Sequence, residues 1–176
     1  MLIGHINLAK SFNGTGEHFV SLIEALQDIG VNQHVLVRNV TLAKRLDAVD
    51  GVVVGPVVRS AVTANCLMPQ VNIVHIHDPA AAQAGLLMTL TRSIPYVLSY
   101  PGTVPNGRNP LAQAIYRRAL CVICRDDCDA SILRHYDQAL HLEIIPEMEH
   151  HGSAAAYLRL YQNSQRMPIA GSNGIQ

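Results

Sequence analysis

The sequence predicts a doubly wound α/β fold: a single domain built on one mostly parallel, Rossmann-like sheet with helices on both faces. Three observations carry that reading. Short apolar runs alternate along the chain with segments of helical period, a pattern that implies crossover connections and parallel strands. Runs such as VLSY (97–100) and CVIC (121–124) lack a clean in–out alternation, as expected of strands covered on both faces. Finally, 176 residues, 49% of them apolar, suffice for one domain with a real core. With no Trp and two Phe, that core must rest on Val, Ile, Leu and Ala.

The elements follow in order. LIGHINLA (2–9) is the first strand and SFNGTG (11–16) a Gly-rich turn. EHFVSLIEALQDIG (17–30) is a helix, with Phe19, Leu22, Ile23, Leu26 and Ile29 at helical spacing and Gly30 as its stop. QHVLVRN (33–39) is the second strand; TLAKRLDAV (41–49) is a short helix with Thr41 as its cap. GVVVGPV (51–57) is the third strand, placed at an edge or ended early by Pro56. Residues 59–68 form a helix.

VNIVHIH (71–77) is the fourth strand, and PAAAQAGLLMTLTR (79–92) a helix with Asp78 at its N-cap and Pro79 at its first position. PYVLSY (95–100) is the fifth strand, PGTVPNGRN (101–109) a loop, and NPLAQAIYRRAL (109–120) a helix capped by Asn109. CVIC is the sixth strand, DDCDASILRHY (126–136) a helix and LHLEII (140–145) the seventh strand. SAAAYLRLYQNSQ (153–165), capped by Ser153, closes the chain ahead of a loose tail.

Composition excludes several classes of function. The formal net charge is zero, so no broad attraction to nucleic acid is expected. MLIGHINLAKSF has no charged leader followed by a long apolar stretch, and a cytoplasmic location is expected. Cys121, Cys124 and Cys128 read C-x-x-C-x-x-x-C, but residues three apart on a strand face opposite ways, so these are expected to be ordinary thiols.

In this fold, ligands bind beyond the carboxyl ends of the strands where the strand order reverses. With the order 3-2-1-4-5-6, strands one and four meet there. That order brings the turn Asn13-Gly14-Thr15-Gly16 beside His77 and Asp78. The two glycines permit close backbone approach and leave N–H groups for an oxyanion, while an unliganded tight turn explains them as well. No third glycine, Walker lysine or acidic second-strand end is present, so no nucleotide cofactor is expected.

The pair His75 and His77 in VNIVHIHDP admits three readings. His75 reads as a core histidine bonded to backbone and covered by a helix. His77 and Asp78 read as the polar lip of the crevice, Asp78 also being the helix cap. A metal site would need both histidines and Asp78, but H-x-H-x-D-H is missing, and no metal is expected.

Taken in order, NGTGEHFVSLIEAL, GVNQHVLVRN, VNIVHIHDP, IPYVLSYPG, ALCVICRDDCDASIL and LEIIPE resemble the N-terminal domain of family-four GT-B-type glycosyltransferases, over roughly residues 1–148. Residues 149–165 are similar to the family's closing helix, which returns to pack on that domain, leaving 166–176 as a flexible tail. An ordinary terminal amphipathic helix explains the same stretch, whose stripe is Ala154, Tyr157, Leu158 and Tyr161. The chain departs from the family at Pro101, where a His-Gly is usual, and at IPEM, and the sugar-nucleotide-binding second domain is expected to be missing.

The resemblance implies an acceptor-type crevice for a glycan or lipid-linked sugar, lined by Asn13, Gly14, Thr15, Gly16, His77, Asp78, Tyr100 and Gly102, with no catalytic residue assigned. It implies a role in bacterial surface polysaccharide or lipopolysaccharide synthesis, with a partner chain supplying the donor domain or without catalysis. A non-catalytic scaffold that dimerises or binds a protein partner is the alternative, and a small metal-dependent hydrolase a third. Arg108, Arg117 and Arg118 allow at most peripheral contact with a membrane.

Overall fold

A computed structural model describes residues 1–11, 14–100, 102, 109–146 and 150–164. Seven parallel strands form one sheet in the order β3-β2-β1-β4-β5-β6-β7. They are β1 (Leu2–Asn7), β2 (Asn32–Val37), β3 (Val52–Val54), β4 (Ile73–Ile76), β5 (Tyr96–Ser99), β6 (Val122–Cys124) and β7 (Leu142–Ile144). The crossover helices are α1 (Gly14–Asp28), α2 (Val40–Leu46), α3 (Ala61–Leu67), α4 (Ala82–Arg92), α5 (Pro110–Arg118) and α6 (Asp127–Tyr136), and α7 (His150–Ser164) ends the described chain. The order reverses between β1 and β4, where the sequence places it. β3 does lie at an edge, and its short span limits the exposed ladder.

Apolar side chains cover both faces. One face packs against α3, α4, α5 and α6 through residues such as Met68, Leu86, Tyr96 and Leu133. The other packs Ile3, Ile73, Val97 and Ile123 against Leu22 and Leu26 of α1 and Ala154, Tyr157, Leu160 and Tyr161 of α7. A third group joins α1 and α2 over β2. On α7, Leu160 rather than Leu158 completes the buried stripe. Cys121 and Cys124 are buried on opposite faces, and Cys66 and Cys128 are exposed; all four are free thiols.

Several boundaries differ from expectation for identifiable reasons. Gly14, Thr15 and Gly16 belong to α1 itself, which starts three residues before Glu17. α2 is capped by Asn39, whose side chain accepts from Leu42 N, so Thr41 lies inside the helix. Ser153 also lies inside its helix, where its hydroxyl donates to Pro146 O at 3.2 Å. The start of α4 moves from Pro79 to Ala82, for a reason that belongs to the site. Ser60, Asn109 and Asp126 accept hydrogen bonds from the first-turn N–H groups of α3, α5 and α6. The loose tail expected at 166–176 lies outside the described residues.

α4 lies close against the sheet because residue 85 is glycine. A Cβ there would meet the Tyr96 ring at 2.7 Å and Ile76 at 3.1 Å. Tyr96 is fully buried and its hydroxyl donates to Ile115 O, so the ring cannot swing aside. Gly85→Ala gains about 1 kcal/mol of helix propensity but suffers overpacking of about 3 kcal/mol, the upper end of the usual range. Urea unfolding should register a net loss of about 2 kcal/mol; a stabilised variant would refute this packing.

Candidate functional site

A cleft of about 410 Å³ opens at the carboxyl end of the sheet. Its floor and walls come from the ends of β1 (Asn7), β4 (His77, Asp78), β5 (Ser99, Tyr100) and β6 (Arg125), with His18 and Phe19 of α1 and Tyr157 of α7 over it. This is the position that the strand-order reversal dictates.

Asp78 organises the rim. Its Oδ2 accepts from Leu8 N at 2.5 Å, and its Oδ1 accepts from Ala80 N at 2.8 Å and Ala81 N at 3.1 Å. The carboxylate therefore caps a turn over 78–81 and ties it to the end of β1. It does not cap α4, whose N-cap, Ala81, makes no side-chain hydrogen bond. Burial raises the carboxyl's pKa, and the three N–H bonds oppose that rise.

Behind His77 lies a layer of imidazoles. His5 and His75 are register partners across the β1–β4 pair, and His77 is the next same-face position along that chain segment. His5 Nδ1 and His77 Nε2 are 3.0 Å apart. His75 and His77 approach to 3.8 Å between ring centroids, and Phe19 meets His77 edge-on at 4.5 Å. His75 is indeed a covered core histidine, but its partners are side chains and not backbone: Nδ1 bonds the Tyr161 hydroxyl at 2.7 Å, and Nε2 bonds Ser99 Oγ at 2.8 Å. α7 thus joins the sheet through a buried hydrogen bond as well as apolar packing.

Burial keeps these rings neutral. It holds His5 down at about 3, and it lowers His75 and His77 well below the ordinary value, with repulsion among the imidazoles adding to the effect. Each histidine offers one ring nitrogen, and the three nitrogens lie within 4.8 Å of one another. Among the described residues these are the groups with metal-ligating geometry.

The remaining sequence candidates divide. His77, Asp78 and Tyr100 line the cleft. Gly16 is buried in the first turn of α1, close in sequence to the lining residues His18 and Phe19. Gly14 and Thr15 precede it in that turn, and the side chain of Thr15 lies outside the described residues, as do Asn13 and Pro101. Gly102 is exposed at φ 77° and does not line the cleft; a Cβ there would stand 3.7 Å from Arg125 Nη2.

Sequence reasoning missed His5, Asn7, Ser99, Arg125 and Tyr157. Asn7, Ser99 and Arg125 share a legible signal, standing at or just past the carboxyl ends of three strands. Of the arginines thought to face a membrane, Arg117 is engaged with Asp137 at 2.7 Å and Arg108 lies outside the described residues. No helix among the described residues is long and apolar enough to cross a membrane.

The fold is similar to that of Anabaena Alr3699/HepE, solved in complex with UDP (12% identity, TM-score 0.63) and with UDP-glucose (14% identity, TM-score 0.64). In both comparisons the match covers 85% of this chain and 44% of the other, so this chain spans under half the length of that protein. At such identity the likeness is one of fold. No protein-family model matches the sequence, and comparison with curated proteins yields no match.

The neutral imidazoles set a pH dependence. Above the unperturbed value of 6.5 both folded and unfolded chains leave them uncharged. As pH falls from 6.5 toward the value of about 3 held by folded His5, the unfolded chain takes up protons that the folded one refuses. Stability should therefore fall with decreasing pH, by up to about 1.4 kcal/mol per pH unit for each buried histidine. Urea unfolding across that window should show the slope, reduced by one histidine's share in His5→Gln. A flat profile would contradict the arrangement.

Proposed function

We propose that this chain is the acceptor-binding part of a GT-B-type, glycosyltransferase-like system in bacterial surface polysaccharide or lipopolysaccharide synthesis, with no donor site of its own. The observation that supports this most is the place and lining of the cleft. It lies at the strand-order reversal of a fold shared with part of a protein solved with UDP and with UDP-glucose.

The lining suits a sugar-bearing ligand. Asn7, His77 and Ser99 offer hydrogen bonds to hydroxyls, while Phe19, Tyr100 and Tyr157 offer apolar ring faces. Arg125 lines the same cleft and pairs with Asp129 at 3.2 Å; its planar fork can also meet the phosphate of a lipid-linked sugar. The first turn of α1, at the Gly14-Thr15-Gly16 stretch, presents N–H groups on the same side. Gly102 would belong to the surrounding rim.

Among the described residues the one carboxylate in the lining, Asp78, already accepts three backbone N–H bonds, which leaves it poorly placed as a general base. Transfer chemistry would then depend on a partner chain that carries the donor domain. The same engaged carboxylate favours a second reading, a non-catalytic binding module that forms homodimers. The chain would act in the cytoplasm, at most touching the inner membrane peripherally.

Calorimetric titration with a sugar 1-phosphate and with UDP-glucose, beside light scattering for mass, separates these readings. The first predicts binding of the sugar phosphate at about 0.1–1 mM, weakened at least tenfold in Arg125→Ala, and none of UDP-glucose. Binding of UDP-glucose by this chain alone would refute it. Binding of neither ligand, with a stable dimer, would support the module.

A further inference from the structure

The geometry points to a binding site for one late first-row divalent transition ion, of the Zn²⁺ class, held by His5, His75 and His77 beneath the cleft. The inference goes beyond the acceptor reading and does not depend on it.

The donor set decides the kind of ion. Three imidazoles within 4.8 Å, with no carboxylate in the group, suit Zn²⁺, Co²⁺, Ni²⁺ or Cu²⁺ and not the oxygen-seeking Mg²⁺ or Ca²⁺. Two nitrogens sharing a tetrahedral Zn²⁺, with bonds of about 2.0–2.1 Å, stand about 3.3 Å apart. His5 Nδ1 and His77 Nε2 already stand 3.0 Å apart. No separation exceeds 4.8 Å, so closing to that spacing needs a movement of at most about 1.5 Å.

The surroundings also fit. His75 is held by both Tyr161 and Ser99, so whichever nitrogen ligates, the other keeps a partner that fixes the ring. His77 and Ser99 face the cleft, which gives an ion a way in and leaves its fourth position open to water or ligand. Tyr157 and Phe19 close the site with apolar surface.

Spacing alone hid this site. His75 and His77 were visible as a pair, but their third member sits about seventy residues earlier and meets them through the β1–β4 register. The ligand is His5, and Asp78 is committed to the backbone of Leu8, Ala80 and Ala81.

The test uses the whole chain, stripped of metal with a chelator and titrated with Zn²⁺ alone and with Co²⁺ alone. The site predicts one ion per chain with a Kd at or below about 1 µM and a visible Co²⁺ spectrum of tetrahedral type. His77→Ala should weaken binding about 100-fold or more, while a double His150→Ala/His151→Ala variant should keep it. Should His77→Ala fail to fold, histidine-selective ¹⁵N NMR on the unaltered chain serves instead. Saturating Zn²⁺ should shift the ring nitrogens of three of the nine histidines. No stoichiometric binding would overturn the site and leave a metal-free imidazole layer; so would binding lost in the double variant but kept in His77→Ala.

Discussion

The side-by-side pairing of β1 with β4 is the constraint on which the rest of the structure depends. That pairing reverses the strand order, and the reversal opens the sheet's carboxyl edge into a cleft. Its register sets His5 beside His75 and puts His77 one step further on the same face. Its end is fastened by Asp78, which draws the amide of Leu8 into the turn that follows β4. A one-residue slip of β4 would turn His75 and His77 toward the α3–α6 face, away from His5, and shift Asp78 away from Leu8.

Polar groups at the centre of an α/β sheet are costly unless each finds a partner. Here the cost is offset in two ways, although His5 Nε2 is buried without a partner. Burial keeps the imidazoles uncharged, and α7 supplies the Tyr161 hydroxyl that His75 needs. α7 is therefore more than a lid on apolar surface, because removing it would leave a buried nitrogen unbonded. Its Tyr157 also forms part of the cleft wall, so the last described helix and the middle of the sheet build one site.

Much of the fold was legible because each crossover unit carries its own punctuation. Asn109 caps its helix where the sequence puts it, and Pro56 marks the short edge strand β3. What failed to show was long-range. Asp78-Pro79 has the local chemistry of a helix start, yet the carboxylate serves Leu8 as well and the helix begins three residues later. Ser153 resembles a cap, but Pro146 O takes its hydroxyl. Cleft placement, with His77, followed from the strand order, and Tyr100 from the resemblance. His5, which sits mid-strand in an unremarkable GHIN, could be assigned only once the register was known.

Amide chemical shifts during titration with a sugar 1-phosphate test the central claim most directly, namely that the β1–β4 edge is where ligand enters. The account predicts that the largest changes fall on Leu8, Gly16, His77, Tyr100 and Arg125, with the α3 and α4 amides unmoved. Changes centred on α3, α4 or the β3 edge would contradict it.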